Sequence, residues 1–308
     1  MTRVAAVDIG TNSTRLLVAD VDGRGADATL EPVQREMRIT RLGQGVDADR
    51  TLRPDAIERT VAVLREYGEI IERLGAERVR ATATSASRDA RNRDDFFDPA
   101  TDALRGTRPE LLAGEDEAAL SFLGATAGLQ EPAPFLVIDV GGGSTEFVLG
   151  TDKPEGLISI DIGCVRLTEQ YLHGDPPEPE ELSNAVSAVR DHLSDVEREI
   201  PSVASAATVV GLAGTVTTLA AIELGLTTYD PKFTHHFRLT RAAAEDVFRT
   251  LATEPIARRR HNPGLDPGRV DVIVGGAIIV VSILRHFEFA EMLVSETDIL
   301  DGLARSLG

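Results

Sequence analysis

The sequence predicts an α/β protein made of two similar domains that face each other across a cleft. The first observation is a duplicated segment, since residues 7–18 (VDIGTNSTRLLV) align without a gap with residues 138–149 (IDVGGGSTEFVL). The second is the length of 308 residues, which favours about two domains. The third is the alternation of short apolar runs with helical hydrophobic spacing. We predict a first domain at 1–130, joined by a C-terminal helix at 298–308, and a second domain at 131–297.

Each copy of the repeat has the pattern of a strand, a tight turn and a second strand. In the second copy an apolar run ends at Asp139, three glycines follow, and Ser144, Thr145 and Glu146 precede the next apolar run. Glycines lack a Cβ atom, so their backbone N–H groups can approach an anion closely. The hydroxyls add donors, and the two carboxylates can hold a cation against that anion. A plain hairpin turn needs neither three glycines nor an acid at each end, so this pattern favours a phosphate site with a metal ion.

The alignment transfers this prediction to the first copy, where Asp8 matches Asp139 and Ser13 matches Ser144. The residues that we predict to bind phosphate in the two turns are Asp8, Thr11, Asn12, Ser13, Gly141, Gly142, Gly143, Ser144 and Thr145.

A third glycine turn follows a later apolar strand, at 207–212. The segment reads strand, Gly-x-x-Gly-Thr, helix, with Gly211 and Gly214 at the predicted turn. A helix N-terminus behind such a turn favours an anion, so Gly214 is a further candidate for phosphate binding.

The other elements of the first half follow in order. Further strands are predicted through Asp20 and at 30–39, then a loop at 40–53. Pro54 suits the first turn of a helix that Gly75 ends, and a strand at 78–83 follows. The segment 84–92 then leaves the carboxyl end of that strand, where open α/β sheets bind ligands.

Arg88 lies in this segment and could donate two hydrogen bonds to a phosphate. The alternative is that Arg88, Arg91 and Arg93 form a solvated helix face.

A predicted helix at 114–129 has Glu115, Asp116 and Glu117 in its first turn. Acids there complement the helix dipole, and this explanation is sufficient for Glu115 and Asp116. Glu117 is different because its helix begins at a strand end, just before the second phosphate strand, so we predict that Glu117 borders the cleft.

In the second half we predict a strand at 155–161 and a proline-rich acidic loop at 173–181, which is the best candidate for an internal linker. A long apolar helix is predicted from Val270 to His286. The six histidines show no spacing typical of metal ligands.

Composition excludes several classes of function. The net charge of −18 should repel a polyanion, so a phosphorylated ligand must come with metal ions or meet local basic residues such as Arg258, Arg259 and Arg260. Three tyrosines and no tryptophan argue against nucleic acid binding. The single Cys164 excludes a disulfide framework and fits a reducing compartment. The longest apolar run, near 272–284, is too short to span a membrane, and no signal peptide is predicted, so we expect a cytoplasmic protein.

With these motifs in hand, the chain resembles the exopolyphosphatase and guanosine pentaphosphate phosphohydrolase (Ppx/GppA) family. The matching stretches occur in the family's order along nearly the whole chain: VDIGTNSTRLLV, ATSASRDARN, LLAGEDEAALSFLGA, VIDVGGGSTEFVLG, GLAGTVTTLAA, PGRVDVIVGGAII and SETDILDG. The resemblance implies two ribonuclease-H-like domains of the actin-like ATPase superfamily, with the substrate in the interdomain cleft.

The same resemblance implies roles for individual residues. Glu117 matches the family's catalytic glutamate, which activates the attacking water, and Arg88 matches an arginine that binds substrate phosphate. Asp139 and Glu146 match acids associated with a divalent metal ion, expected to be Mg²⁺ or Mn²⁺, with K⁺ as a further candidate ion. Longer family members continue into a helical HD-type domain, whereas this chain has no His-Asp doublet, so we expect limited processivity on long substrates.

The expected function is therefore hydrolysis of the terminal phosphate of inorganic polyphosphate. The main alternative is hydrolysis of guanosine pentaphosphate by the same residues. An ATP-dependent kinase or ATPase, and a non-catalytic sensor of polyphosphate or alarmone, are more distant alternatives. A homodimer is one assembly compatible with the sequence.

Overall fold

A computed structural model describes residues 1–308, which form two compact units. The first unit contains residues 1–129 and 297–308, and the second contains residues 130–296. The strands are β1 (Thr2–Ile9), β2 (Ser13–Asp22), β3 (Thr29–Ile39), β4 (Arg78–Ala83), β5 (Glu110–Leu111), β6 (Phe135–Val140), β7 (Thr145–Gly150), β8 (Pro154–Ile160), β9 (Thr208–Leu212), β10 (Arg238–Thr240) and β11 (Glu291–Val294).

Helices connect these strands, and a short one at Val46–Asp49 lies in the segment 40–53, which was predicted to be a loop. They are α1 (Val46–Asp49), α2 (Pro54–Leu74), α3 (Ser85–Asp89), α4 (Asp94–Ala103), α5 (Gly114–Thr126), α6 (Cys164–Tyr171), α7 (Pro179–Glu199), α8 (Ala213–Glu223), α9 (Pro231–Thr234), α10 (Arg241–Thr253), α11 (Ile256–Arg259), α12 (Ile273–His286) and α13 (Ile299–Leu307). Short 3₁₀ helices lie at Gly25–Asp27, Val203–Ser205 and Pro267–Arg269. None of the helices is both long and apolar enough to traverse a lipid bilayer.

The first unit is a three-layer arrangement around a five-stranded sheet with strand order β3-β2-β1-β4-β5. The strands β1, β2 and β3 are antiparallel to one another, whereas β4 runs parallel to β1 and β5 runs parallel to β4. Side chains of β1 alternate between two cores: Ala5 and Val7 belong to the core that contains residues of α2 and α4, and Val4 and Ala6 to the core that contains residues of α13. Asp8 and Arg15 form a facing pair at the end of the β1–β2 ladder.

The second unit repeats this strand order and extends it. Its sheet has the order β10-β11-β9-β6-β7-β8, in which β6, β7 and β8 are antiparallel and β9 and β11 continue in parallel. In both units, three antiparallel strands are followed by strands that run parallel to the first. This is the ribonuclease-H-like topology of the predicted fold class. The prediction of two such α/β domains is confirmed.

Two helices show how the sequence sets element boundaries. Pro54 occupies the first turn of α2, and Gly75 ends the helix in the left-handed conformation at φ 69°. The apolar helix predicted from Val270 begins at Ile273 because residues 267–269 form a 3₁₀ turn first. It packs against α6, α7, α8 and α10, which explains why its sequence is apolar on every side.

The proline-rich segment 173–181, predicted as an internal linker, connects α6 to α7 inside the second unit and includes the first residues of α7. It is ordered by the Glu181 carboxylate, which accepts hydrogen bonds from the N–H groups of His173, Gly174 and Glu178. Gly211 is not part of a turn, because it lies within β9 and pairs with Ile138 of β6.

The helices α5 and α13 approach each other closely in the first unit. A Cβ atom on Gly124 would lie 1.8 Å from the carbonyl oxygen of Asp298, and one on Gly302 would lie 2.0 Å from that of Leu120. Only glycine allows the two backbones to pack at this distance. The same contact fixes α13, which also packs on β1 and β2.

We expect Gly302→Ala to lower the free energy of unfolding by about 3 kcal/mol, because the added methyl group overlaps a helix backbone that cannot move away easily. Urea unfolding followed by circular dichroism measures this change. Gly25→Ala is the control, since Gly25 has φ 71° and nothing within 4 Å of its Cβ position, and it should cost only about 1 kcal/mol. Equal losses in the two variants would contradict the packing argument.

Candidate active site

The turns of the two predicted phosphate loops have the same backbone construction. The Gly10 N–H group donates to the Ser13 carbonyl at 3.0 Å, and the Gly141 N–H group donates to the Ser144 carbonyl at 3.0 Å. A Cβ atom on Gly10 or Gly141 would lie 3.1 or 3.0 Å from that carbonyl oxygen. The duplication in the sequence is therefore a duplication of the hairpin itself.

In the first unit, residues 40–43, which we call the first clamp segment, hold the turn after β1. The Asn12 carbonyl accepts hydrogen bonds from the N–H groups of Thr40 and Arg41 at 3.1 and 2.9 Å, and the Thr11 carbonyl accepts one from Gly43 at 2.9 Å. The N–H groups of Thr11 and Asn12 donate to no group of the protein. The clamp therefore occupies the acceptors of the turn and leaves its donors for an anion.

In the second unit, residues 162–166, which we call the second clamp segment, hold the triple-glycine turn in the same way. The Gly141 carbonyl accepts from Cys164 N–H at 3.0 Å, and the Gly142 carbonyl accepts from Val165 and Arg166 N–H at 2.8 and 3.1 Å. The N–H groups of Gly142 and Gly143 donate to no group of the protein. This arrangement is suited to cradling phosphate oxygens.

Each clamp segment requires a glycine of its own, which the sequence analysis missed. A Cβ atom on Gly43 would lie 2.3 Å from Thr11 Cγ2, and one on Gly163 would lie 2.4 Å from the carbonyl carbon of Gly142. A sequence pattern could have located these two glycines. An apolar residue followed by glycine occurs shortly after the third strand of each unit, as Leu42-Gly43 and Ile162-Gly163.

Hydroxyl groups of the turns divide into two kinds. The Thr145 hydroxyl donates to the Ile162 carbonyl at 2.6 Å, and its first-unit equivalent Thr14 bonds to the Thr40 hydroxyl at 2.9 Å. Thr145 thus fastens the turn to its clamp segment, so its side chain does not donate to phosphate, contrary to the prediction. The Ser144 hydroxyl makes no hydrogen bond within the protein and stays a candidate donor.

Two polar atoms of the first turn are buried without a partner: Asp8 Oδ1 and Asn12 Nδ2. Such an atom costs about 1–3 kcal/mol, so a buried pair of this kind favours a ligand that satisfies both. The amide nitrogen is a donor and suits a phosphate oxygen. The carboxylate oxygen is only an acceptor when ionised, so Asp8 can serve a phosphate only through a donor such as water.

The other oxygen of Asp8 is held by Arg15. Asp8 Oδ2 accepts hydrogen bonds from Arg15 Nη2 at 2.7 Å and Nε at 3.1 Å. Burial raises the pKa of the Asp8 carboxyl above its usual value, and the Arg15 guanidinium only partly offsets this effect.

The two predicted metal residues face each other across the second hairpin. Asp139 of β6 is paired with Glu146 of β7, and both side chains are buried. The Ser159 hydroxyl on β8 donates to Glu146 Oε1 at 2.8 Å and orients that carboxylate. The chain contains no group of three or more His, Cys, Asp and Glu side chains that could hold a metal. Mg²⁺ is commonly held by one or two carboxylates together with waters and substrate phosphates, so this pair fits the predicted ion.

Arg88 and Glu117, which were predicted separately, form an ion pair in the first unit. Arg88 lies on α3 after β4, and its Nη1 donates to Glu117 Oε2 at 2.8 Å and to the Leu112 carbonyl at 2.9 Å. The side chains are 22% and 12% exposed. The guanidinium thus orients the Glu117 carboxylate, while its Nε and Nη2 donors remain available to a ligand.

The third predicted turn has an unexpected partner. A Cβ atom on Gly214 would lie 2.1 Å from the guanidinium carbon of Arg269, so the guanidinium lies directly over this glycine. Sequence reasoning missed Arg269, although it stands in the PGR motif. Phosphate binding by Gly214 stays a prediction. The glycine at position 211 accommodates Met292, whose sulfur would lie 2.1 Å from a Cβ atom there.

The basic cluster at 258–260 does not act as one charged surface. Arg259 is buried and donates to the carbonyl groups of Leu251, Val270 and Glu254. Burial lowers its pKa. Its role is to fasten the turn after α10, so the expectation of a concentrated basic site here is wrong for Arg259.

Comparison with known proteins shows the family of this chain. The model of the Ppx/GppA phosphatase family matches residues 7–307. The chain belongs to the Ppx/GppA phosphatase family. It is 48% identical to exopolyphosphatase 2 of Mycobacterium tuberculosis, across 100% of this chain and 99% of that protein.

Solved structures of this family have the same fold. An exopolyphosphatase-like protein superimposes with a TM-score of 0.94 at 36% identity, covering 100% of this chain and 99% of the other. The Ppx/GppA enzyme of Aquifex aeolicus superimposes with a TM-score of 0.82 at 35% identity, covering 99% of each chain.

The raised pKa of Asp8 predicts a pH dependence of stability. In the unfolded chain an aspartate titrates at about 3.9, so the folded protein binds the proton more tightly. The quantity to compare is the free energy of unfolding of the wild type minus that of Asp8→Asn. This difference should fall as the pH rises from below the unfolded-state pKa through the raised pKa of Asp8 in the folded protein. Urea unfolding of both proteins between about pH 3.5 and 7 tests this.

Asp20→Asn is the control, because the pH dependence of stability should have the opposite sign for this pair of proteins. Hydrogen bonds from Arg3 lower the pKa of Asp20, so wild-type stability relative to Asp20→Asn should rise with pH through the window between the folded and unfolded values. A change in the same direction for both pairs would contradict the burial argument.

Proposed function

We propose that this chain is an exopolyphosphatase, which hydrolyses the terminal phosphoric anhydride bond of inorganic polyphosphate. The observation that carries the proposal is the full-length similarity to a protein named exopolyphosphatase 2, at 48% identity over 99% of its length. The two clamped turns support it, since each offers backbone N–H groups to an anion.

In the first unit, Glu117 is the proposed catalytic residue. Its carboxylate accepts a hydrogen bond from the attacking water and orients it toward the terminal phosphorus. Arg88 holds that carboxylate at 2.8 Å and offers its remaining donors to phosphate oxygens. Phosphoryl transfer depends mainly on positioning and electrostatic stabilisation, and both residues supply these.

In the second unit, the Gly142 and Gly143 N–H groups and the Ser144 hydroxyl are the proposed phosphate donors. Asp139 and Glu146 would hold Mg²⁺ or Mn²⁺, and the ion would neutralise charge on the phosphate oxygens. This assignment also removes the conflict between a net charge of −18 and a polyanionic substrate, because the substrate arrives with cations.

We expect Glu117→Gln to lower kcat by about 10²- to 10⁴-fold on polyphosphate, because glutamine cannot accept a proton from the water. Phosphate release with Mg²⁺ should be measured on short polyphosphate, long polyphosphate, guanosine pentaphosphate and ATP. Glu115→Gln is the matched control, since Glu115 is exposed in the same first turn of α5 and should retain wild-type turnover.

The results on the four substrates distinguish the alternatives. Turnover of guanosine pentaphosphate alone would replace the proposed substrate with the alarmone. Preference for ATP would indicate an ATPase. Wild-type turnover by Glu117→Gln would remove Glu117 from the mechanism.

We expect Arg88→Lys to lower kcat by about 10- to 10²-fold, because a single ammonium cannot reproduce the planar fork that orients Glu117. In the Glu117→Gln background the same substitution should have a much smaller effect, since both residues act on one water. Arg91→Lys, a change at an exposed arginine nearby, is the control. Additive losses in the double variant would contradict a shared role.

A further inference from the structure

The two equivalent hairpins differ at one charged position. Asp8 faces Arg15 in the β1–β2 ladder, and Asp139 faces Glu146 in the β6–β7 ladder. The gapless alignment makes Arg15 the counterpart of Glu146. The first hairpin therefore has a guanidinium where the second has a carboxylate.

The Arg15 guanidinium lies between two buried carboxylates. It donates to Asp8 Oδ2 at 2.7 and 3.1 Å, and its Nη1 contacts Asp298 Oδ2. The Asp8 and Asp298 side chains are 5% and 8% exposed, and that of Arg15 is 17% exposed. A cation shared by two carboxylates at this depth occupies the electrostatic position that a bound metal ion would have.

The C-terminal helix fixes this position. Asp298 is the N-cap of α13 and accepts a hydrogen bond from Leu300 N–H at 2.9 Å. Its capping partner Asp301 is paired with Arg35 of β3 at 2.7 Å. Helix capping thus holds the Asp298 carboxylate beside Arg15, and Arg35 holds the capping partner Asp301.

We propose that Arg15 is the resident cation of the first hairpin, in the place that a divalent metal ion takes in the second, so that the chain binds one divalent ion, at Asp139 and Glu146. This inference rests on the metal assigned under the proposed function. A guanidinium is permanently charged and covalently attached, so the first turn keeps its positive charge whether or not metal is bound. Arg15 is a positioning residue, because it acts on the first turn through Asp8.

The test is a Mn²⁺ titration of the full chain without substrate, read by the electron paramagnetic resonance signal of free Mn²⁺. The wild type should bind one ion. Asp139→Asn should weaken binding by more than about tenfold, whereas Asp8→Asn should change the affinity by less than about threefold.

Arg15→Gln gives a sharper result. Without the guanidinium, Asp8 and Asp298 present oxygen ligands to a cation, so the variant should bind a second Mn²⁺ ion. Arg15→Lys keeps the positive charge and should bind one ion. Arg3→Gln is the matched control, since Arg3 faces Asp20 at the opposite end of the same ladder at 2.8 Å, and it should also bind one.

The outcomes separate this inference from the proposed function. Two ions in the wild type, or loss of affinity in Asp8→Asn, would overturn the inference and leave the exopolyphosphatase assignment intact. A folded Arg15→Gln chain that still binds one ion would also overturn it. No Mn²⁺ binding by the wild type would refute the proposed metal site and the inference together. If Arg15→Gln does not fold, the inference is still tested by three other measurements. These are the number of Mn²⁺ ions bound by the wild type, the number bound by Arg15→Lys, and the Mn²⁺ affinity of Asp8→Asn.

Discussion

Hydrogen bonds from a neighbouring segment to the carbonyl groups of a glycine turn are the interaction on which both candidate phosphate loops depend. The triple-glycine turn by itself could adopt many conformations, and in either turn the carbonyl oxygens would repel a phosphate as readily as the N–H groups attract one. The clamp segments at 40–43 and 162–166 remove this ambiguity by binding the carbonyls of Thr11, Asn12, Gly141 and Gly142. What remains exposed to a ligand is a set of donors.

Close backbone contact is the second constraint, and it explains several glycines that have no direct part in binding. Gly43 and Gly163 let each clamp segment reach its turn, and Gly124 and Gly302 let α5 and α13 meet. The α5–α13 contact also joins two charged positions, because α5 carries Glu117 in its first turn and Asp298 is the N-cap of α13.

Carboxylates at the candidate sites are held by specific hydrogen-bond donors. Arg88 is bound to Glu117, Arg15 lies between Asp8 and Asp298, and Ser159 orients Glu146. Each pairing fixes the direction of a carboxylate that would otherwise be free to rotate. Arg259 has a different role, since its guanidinium donates hydrogen bonds to three backbone carbonyl groups and stabilises a turn.

The sequence by itself determined the two-unit fold, the hairpins and the helix ends at Pro54 and Gly75, because these follow from local periodicity, turn chemistry and a gapless repeat. The contiguous motifs and the family resemblance also predicted Arg88, Glu117, Asp139 and Glu146 as site residues. Only the tertiary structure decided that Arg88 binds Glu117 and that the Thr145 hydroxyl donates a hydrogen bond to the Ile162 carbonyl. It also decided that Met292 lies against Gly211 and Arg269 against Gly214, which leaves no room for a larger side chain at either position. These are contacts between segments far apart in the chain, and no local pattern specifies which distant side chain fills the space beside a given residue.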